Sequence, residues 1–360
     1  MATLAEFEER ARASDRIDWS TRGTRAVSLM GALGEFGSVL SEVKKKRRDG
    51  EPYTGFRDRF VEELGDLLWY VAAIARYCGV RLADVEQECV LNTDEGWFEL
   101  GNVLSQLACE VDGDRQRQET ARALLARAIG QVRKGAGEAG VTLEHVAEVN
   151  LAKVTSRWQS EPETAAPNRD QELDLPPEER LPRQVTIDFI ERKRGSRGAS
   201  VILQCRGISV GDRLTDNAHE DDGYRFHDAF HLAHAAVLGW SPVIRALFRC
   251  KRKSQQRLDE VEDGARAVIA EESVSFLTFD YARNNSLLKG VSRVDQDLIR
   301  HIQSVVSGLE VATRDRWEWE HAILQGYGVF RQLNSKPQGG QVRIDADHRL
   351  IEYLGPIEPA

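Results

Sequence analysis

Residues 159–183, "QSEPETAAPNRDQELDLPPEERLPR", hold five of the chain's ten prolines and almost no large apolar side chain. Such a stretch buries too little surface to repay the entropy of ordering it, and each proline removes a backbone donor. Read as a linker, it divides the 360 residues into parts of 158 and 177, spanning 1–158 and 184–360, each long enough for its own core.

Before this break the apolar periodicity is helical almost throughout, over roughly 2–14, 21–47, 55–78, 95–111, 115–136 and 142–158, with no convincing strand. After it, "QVTIDFIERKRGSRGASVILQCRGI" gives two β-rich runs around a Gly/Ser/Arg turn, hence a hairpin. Helices are expected near 223–239, 242–252, 259–282, 293–307 and 315–334. The expected fold is mainly α: an all-α helical bundle, then an α-rich domain opened by a β-hairpin.

The formal charge of −9 argues against broad binding to nucleic acid or anionic membrane, and leaves small anionic ligands carried with metal open. Cys78, Cys89, Cys109, Cys205 and Cys250 are scattered, with no CxxC spacing, which points away from disulfides and zinc ribbons and toward a reducing compartment. With no apolar run of about 18 residues and no signal segment, a cytoplasmic protein without a membrane partner is expected.

Three helices carry polar lines beside their apolar arcs. In "RFVEELGDLLWY" (59–70) the arc centres on Leu67 and Val71, with Glu63 and Asp66 just off its edge and Tyr70 between them. In "MGALGEFGSVLSEVKKKRRDG" the arc holds Leu29, Ala32, Leu40 and Val43, with Glu35, Ser38 and Glu42 along one edge. If the two edges face each other, Glu35, Glu63 and Asp66, with Glu42 a further candidate, converge on an acidic volume that repels itself at neutral pH. A hard divalent cation resolves this, and Mg²⁺ in particular needs few carboxylates because it keeps waters for substrate phosphate. Asn150, Lys153 and Arg157 line up at i, i+3 and i+7 in "NLAKVTSRW", the donors a polyphosphate requires. Each set alone is more economically read as a solvated helix face; the three together are harder to dismiss.

A weak internal repeat accompanies them. "GVRLADVEQECVLN" (79–92) matches "GVTLEHVAEVNLAK" (140–153), and "LGEFGSVLSEV" resembles "LGNVLSQLACEV" with a two-residue gap, placing a degenerate copy over 95–158 in which Leu124 and Arg127 replace Glu63 and Asp66. Generic likeness between helices would produce the same match.

"ALGEFGSVLSEVKK", "EELGDLLWYVAAIARYCGV" and "GVTLEHVAEVNLAKVTSRW" together resemble the motifs of the MazG-like all-α nucleoside triphosphate pyrophosphohydrolases, relatives of the dimeric dUTPases, over roughly 20–158. The resemblance implies Mg²⁺, with Mn²⁺ as an alternative, held by an ExxE…ExxD carboxylate set, and an NTP or dNTP cleaved between the α and β phosphates to monophosphate and pyrophosphate. Carried over from it, Glu35, Glu63 and Asp66 are metal ligands and Asn150 and Lys153 belong to the substrate side, where Ser38, Tyr70 and Arg157 join them from their places on the same helix edges; Glu35 or Glu63 is the candidate base. The resemblance also implies a homodimer or higher homo-oligomer. Two departures stand out. Ser38 occupies the place of the second Glu of ExxE, leaving Glu42 or a water to supply that ligand, and about fifty extra residues precede the last helix.

In the second part, "NAHEDDGYRFHDAFHLAHAAVLGW" places His227, His231 and His234 on one face with Asp228 beside them. "LDEVEDGARAVIAEESVSF" puts Glu260, Asp263 and Glu271 on one edge, with Gly264 allowing close approach, and Glu272 in the apolar arc. A His/carboxylate metal site for Zn²⁺, Mn²⁺ or Fe, the ion itself unspecified, competes with a polar core network helped by Arg266, and the network is the preferred reading. "RCKRKS" (249–254) reads as a solvated helix end. This half resembles the C-terminal domain accompanying a subset of MazG-like proteins, a resemblance that brings no chemistry. The rivals to a pyrophosphohydrolase are a nucleotide-binding sensor that lost turnover through Ser38, and a nucleic-acid module using "KKKRR" (44–48), which the net charge disfavours.

Overall fold

The computed structural model describes residues 3–15, 18, 20, 22–86, 96–112, 118–158, 172, 174–193, 198–335 and 338–357, with the side chains of 22, 24, 25, 110, 112, 118 and 156–158 outside that set. Two compact units emerge, Met1–Trp158 and Gln159–Ala360.

The first unit is helical: α1 (Leu4–Ser14), α2 (Arg22–Asp49), α3 (Phe56–Tyr77), α4 (Leu82–Glu86), α5 (Trp97–Asp112), α6 (Gln118–Glu138) and α7 (Leu143–Trp158). Thr3 and Glu6 cap the start of α1 reciprocally. α3 is the central element, burying Leu64, Leu67, Leu68 and Val71 completely, as its period of 3.6 requires. α2 is turned differently from its apolar arc. The stripe it buries is Ser28, Ala32, Val39 and Glu42, with half-buried Glu35 in the same line, while Val27, Met30 and Leu33 remain exposed. By length and composition, Ala26–Asp49 of α2 is long and apolar enough to cross a membrane, against the expectation of no such run. Its Glu35 and Glu42 are engaged with other side chains of the bundle, and both would be costly in a bilayer.

α3 and α6 end in the same way. Gly79 (φ 69°) and Gly140 (φ 70°) adopt the left-handed conformation that stops the helix, and the N–H groups of Val80 and Val141 each donate back, to Ala75 O and Ala136 O, at 2.9 Å. These turns stand at equivalent places in the internal repeat, whose residues 87–92 lie outside the described set. At the places matching Glu63 and Asp66, Leu124 is buried and Arg127 pairs with Glu99.

The second unit joins β1 (Gln184–Lys193), β2 (Ala199–Cys205) and β3 (Ile208–Leu214) to β4 (Gly340–Asp345) and β5 (Leu350–Gly355) in one antiparallel sheet of order β3-β2-β1-β4-β5. The hairpin is there, and the sequence reading missed the other three strands. Between β3 and β4 run α8 (Asp228–Ala233), a π-helical turn (His234–Leu238), α9 (Pro242–Leu247), α10 (Gln256–Val261), α11 (Ala265–Arg283), α12 (Gln296–Val305) and α13 (Arg316–Leu333). Every residue of α8 is buried. Gly326 of α13 makes this possible, since a Cβ there would lie 3.2 Å from Ala233 Cβ.

The proline-rich stretch is not a free linker along its whole length. Leu175 and Leu181 are buried, Glu172 accepts from Leu181 N–H at 2.9 Å, and Arg245 donates to Glu172. Two leucines and a charge pair anchor this segment despite its prolines.

Candidate functional site

Gly65, the glycine of "ELGD", sets the geometry of the first site. A Cβ at this position would lie 2.8 Å from Asn150 Cβ and 3.1 Å from Val146 O, so its absence lets α7 press directly onto α3. That approach carries Asn150 and Lys153 to Asp66. Asn150 Nδ2 donates to Asp66 Oδ1 at 2.8 Å, and Lys153 Nζ donates to Asp66 Oδ2 while pairing with Glu62 Oε1 at 2.7 Å. Glu62 was not anticipated; the doubled Glu of "EELGD" was the available signal. Asn150 Oδ1 is buried and accepts no hydrogen bond.

Beside Asp66, Glu35 of α2 meets Glu63. Glu35, Glu63 and Asp66 each offer an oxygen within 4.8 Å of the others, and all three are half-buried. Burial, followed by repulsion from Asp66 and Glu63, pushes the Glu35 carboxyl up to about 7. Burial and then Asp66 raise Glu63 as well. Two carboxyls both raised and set side by side favour holding a proton. Burial opposes the charge on Lys153, but Asp66 and Glu62 outweigh it and raise its pKa. Such an arrangement holds a proton where it could hold a cation.

The remaining predicted residues are placed less centrally. Glu42 is not brought to the triad: it lies two turns beyond Glu35, about 10 Å along the axis, where it accepts from Lys45 Nζ at 2.5 Å and from Tyr53 Oη. Ser38 is half-buried one turn after Glu35. Tyr70, one turn beyond Asp66, lies against Gly31, where a Cβ would meet its ring at 2.4 Å. The Arg157 side chain lies outside the described residues.

A second cluster lies in the second unit. His227 Nδ1 faces Tyr224 O at 2.8 Å and its ring stacks on Tyr224, while its Nε2 stands 3.7 Å from Asp228 Oδ1. His231 is fully buried, its Nδ1 3.0 Å from Glu271 Oε1 and its Nε2 3.6 Å from Glu272 Oε2. Neither nitrogen is aligned for a hydrogen bond. Glu271 also accepts from Ser241 Oγ at 2.8 Å, Val243 N–H at 3.0 Å and His234 Nδ1 at 3.1 Å. Burial opposes ionisation of Glu271, but His231 leads the groups that hold its carboxyl well below the usual range.

Several expectations for this half need correction. Glu271 is fully buried, and the Glu272 side chain is 43% exposed, the reverse of the expected arrangement. The helix expected over 259–282 breaks before Gly264, where a Cβ would meet Glu260 O at 2.0 Å, and α11 then buries its small residues Ala267, Ala270 and Ser275 while exposing Ile269 and Phe276. Arg266 is exposed, away from the histidines. Asp263 and Glu260 lie elsewhere: buried Asp263 accepts from Arg252 Nη2 at 2.7 Å, and exposed Glu260 from Gln256. Arg252 is therefore no solvated helix end.

The family model described as the MazG C-terminal domain matches residues 166–357, more than half of the chain. The chain belongs to this MazG family. Membership in the MazG family points, in general terms, to a hydrolase acting on nucleotides. A curated relative, the Gene 37 protein of Mycobacterium phage L5, is 42% identical over 60 residues, which make up 16% of this MazG-like chain and 53% of the relative. The match thus spans about half of that protein's length. No solved structure matches the chain.

Proposed function

We propose that the first unit hydrolyses a nucleoside triphosphate, NTP or dNTP, between the α and β phosphates in a Mg²⁺-dependent reaction that releases a nucleoside monophosphate and pyrophosphate. The observation that carries this reading is the convergence of Glu35, Glu63 and Asp66 within 4.8 Å, with Asn150 and Lys153 fastened to Asp66.

The residues fit the ion. Three half-buried carboxylates, two of them with raised pKa, form an oxygen-only set whose repulsion Lys153 relieves only in part, the donor chemistry that Mg²⁺ or Mn²⁺ accepts. When bound, the cation supplies neutralisation of phosphate charge. The chain's own groups do the rest. Asn150 and Lys153 hold Asp66 in one orientation, and Lys153 brings positive charge toward the polyphosphate. Glu35 or Glu63, both raised by burial and by Asp66, is the candidate to take the proton from the attacking water. Exposed Val27, Met30 and Leu33 on α2 offer an apolar surface for a second copy in a homo-oligomer.

A second reading, a nucleotide sensor without turnover, is favoured by Ser38 at a ligand place together with Glu42 committed to Lys45 and Tyr53. Asp66→Asn separates the two. It keeps size and removes charge, so turnover should fall at least about a hundredfold with the helical signal intact. Hydrolysis that survives in a folded Asp66→Asn protein removes the triad from the reaction, and no hydrolysis by the unmodified protein, with nucleotide still bound, selects the sensor.

A further inference from the structure

α8 is buried on every side, yet it carries Asp228 and His231 and starts at His227. Buried polar groups without partners are costly, so their partners have to be accounted for. Glu271 is satisfied: the Ser241 hydroxyl, Val243 N–H and His234 Nδ1 converge on its two oxygens. His231 is not: both of its ring nitrogens lack a hydrogen bond, and Asp228, 6% exposed, stands 3.7 Å from His227 Nε2.

The two histidines share one pattern. The Nδ1 of His227 faces a backbone carbonyl and the Nδ1 of His231 faces a carboxylate, the outer contacts that turn a histidine's Nε2 toward a metal. Both Nε2 atoms then approach a carboxylate oxygen, at 3.7 Å to Asp228 and 3.6 Å to Glu272. These gaps are too long for hydrogen bonds. They are within a few tenths of an ångström of the edge of a tetrahedron built on bonds of about 2.0–2.1 Å, which is roughly 3.3–3.4 Å. The ligand atoms of His227, Asp228 and His231 all lie within 4.8 Å of one another, and Glu272 reaches this group through its 3.6 Å approach to His231 Nε2. The chain also widens into its π-helical turn at His234, directly after these residues.

We propose that the second unit binds one divalent transition-metal ion through His227 Nε2, His231 Nε2, Asp228 and Glu272, with Glu271 as the positioning carboxylate behind His231. Two imidazoles with two carboxylates select Zn²⁺, Fe²⁺ or Mn²⁺ over Mg²⁺. His231, His234 and Glu271 form an alternative triple, but the oxygens of Glu271 are already taken up by Ser241, Val243 and His234. Glu272, 43% exposed, is the ligand on the solvent side, where an exchangeable oxygen ligand could enter.

The test uses the full chain without a polyhistidine tag, loaded with Zn²⁺, dialysed and analysed by mass spectrometry for metal, with Co²⁺ substitution read by visible absorption. One equivalent of retained metal and a four-coordinate Co²⁺ spectrum are expected. His227→Gln should weaken Zn²⁺ binding at least a hundredfold and Glu271→Gln about 10–100-fold, the range for an outer-shell partner. Asp66→Asn should leave the stoichiometry unchanged, which separates this ion from any held in the first unit. Glu272→Gln alters a half-exposed position and keeps the test valid if buried variants fail to fold; at least a tenfold loss is expected. No retained Zn²⁺, Mn²⁺, Fe²⁺ or Co²⁺, or Zn²⁺ affinity unchanged in folded Glu272→Gln, would overturn the proposal.

Discussion

Glu35, Glu63 and Asp66 stand half-buried on the helices of the first unit, whereas Asp228 and Glu271 lie where water scarcely reaches. The two groups settle their charge differently. In the first unit Lys153 and Asn150 come from a third helix to hold one carboxylate, and the pKa of each of the other two is raised. In the second, histidines on α8 and at its ends stand against carboxylates of the same helix and of α11. Oxygen alone at a solvated edge suits a hard ion that keeps its waters for phosphate, while imidazole in a dry interior suits a transition metal. Burial and donor type, more than the number of acids, distinguish the two.

The comparison breaks most visibly at Glu271. In chelator-treated protein, Glu271→Ala strands His231 and His234 and should cost about 3–5 kcal/mol in urea unfolding, against about 1 kcal/mol or less for Glu272→Ala. Equal costs would mean that the burial contrast between the neighbours is wrong. In the first unit Glu63→Gln should lower turnover about a hundredfold, equivalent to about 2.7 kcal/mol, with little change in stability. A stability loss without a rate loss would make Glu63 structural.

These contrasts also mark what the sequence could disclose. α3 was legible because Leu64, Leu67, Leu68 and Val71 recur at the helical period and all of them are buried. The triad was legible for the same reason, since the period sets the angular place of Glu63 and Asp66. α11 was not legible. Its bulky Ile269, Phe276 and Leu277 are exposed while Ala267, Ala270 and Ser275 are buried beside Val274 and Phe279, so hydrophobicity pointed to the wrong side and exchanged Glu271 with Glu272. The pairing of β1 with β4 joins Ile187 to Val342, a contact no local pattern announces. Glu42 sits correctly along α2, but its partner Tyr53 lies beyond the helix end.

Smaller effects sharpen the picture. Gly65→Ala drives a Cβ into Asn150 and Val146 and should cost about 1–3 kcal/mol while loosening Asp66, so unfolding and turnover should change together. Ser38→Glu should lower the Mg²⁺ concentration needed for activity if position 38 lacks a ligand; an unchanged titration makes it a packing site. The smallest effect is a pH dependence in chelator-treated protein. Glu35 has a folded pKa of about 7 against an ordinary 4.5, so the folded state holds the proton more tightly. Its contribution to stability is fully present below the ordinary value and is lost as pH rises through 7. Melting temperature should therefore fall between pH 5 and 8 by a step that Glu35→Gln removes; an identical profile in that variant would show that Glu35 does not hold the proton.

The most direct test of the catalytic reading is product identification. Full-length protein is incubated with Mg²⁺ and a panel of ribo- and deoxyribonucleoside triphosphates, and phosphorus-31 NMR follows what is released. Nucleoside monophosphate and pyrophosphate in equal amounts, absent when Mg²⁺ is chelated, is the predicted result. Nucleoside diphosphate with orthophosphate, or no product from any nucleotide by folded protein, would contradict it.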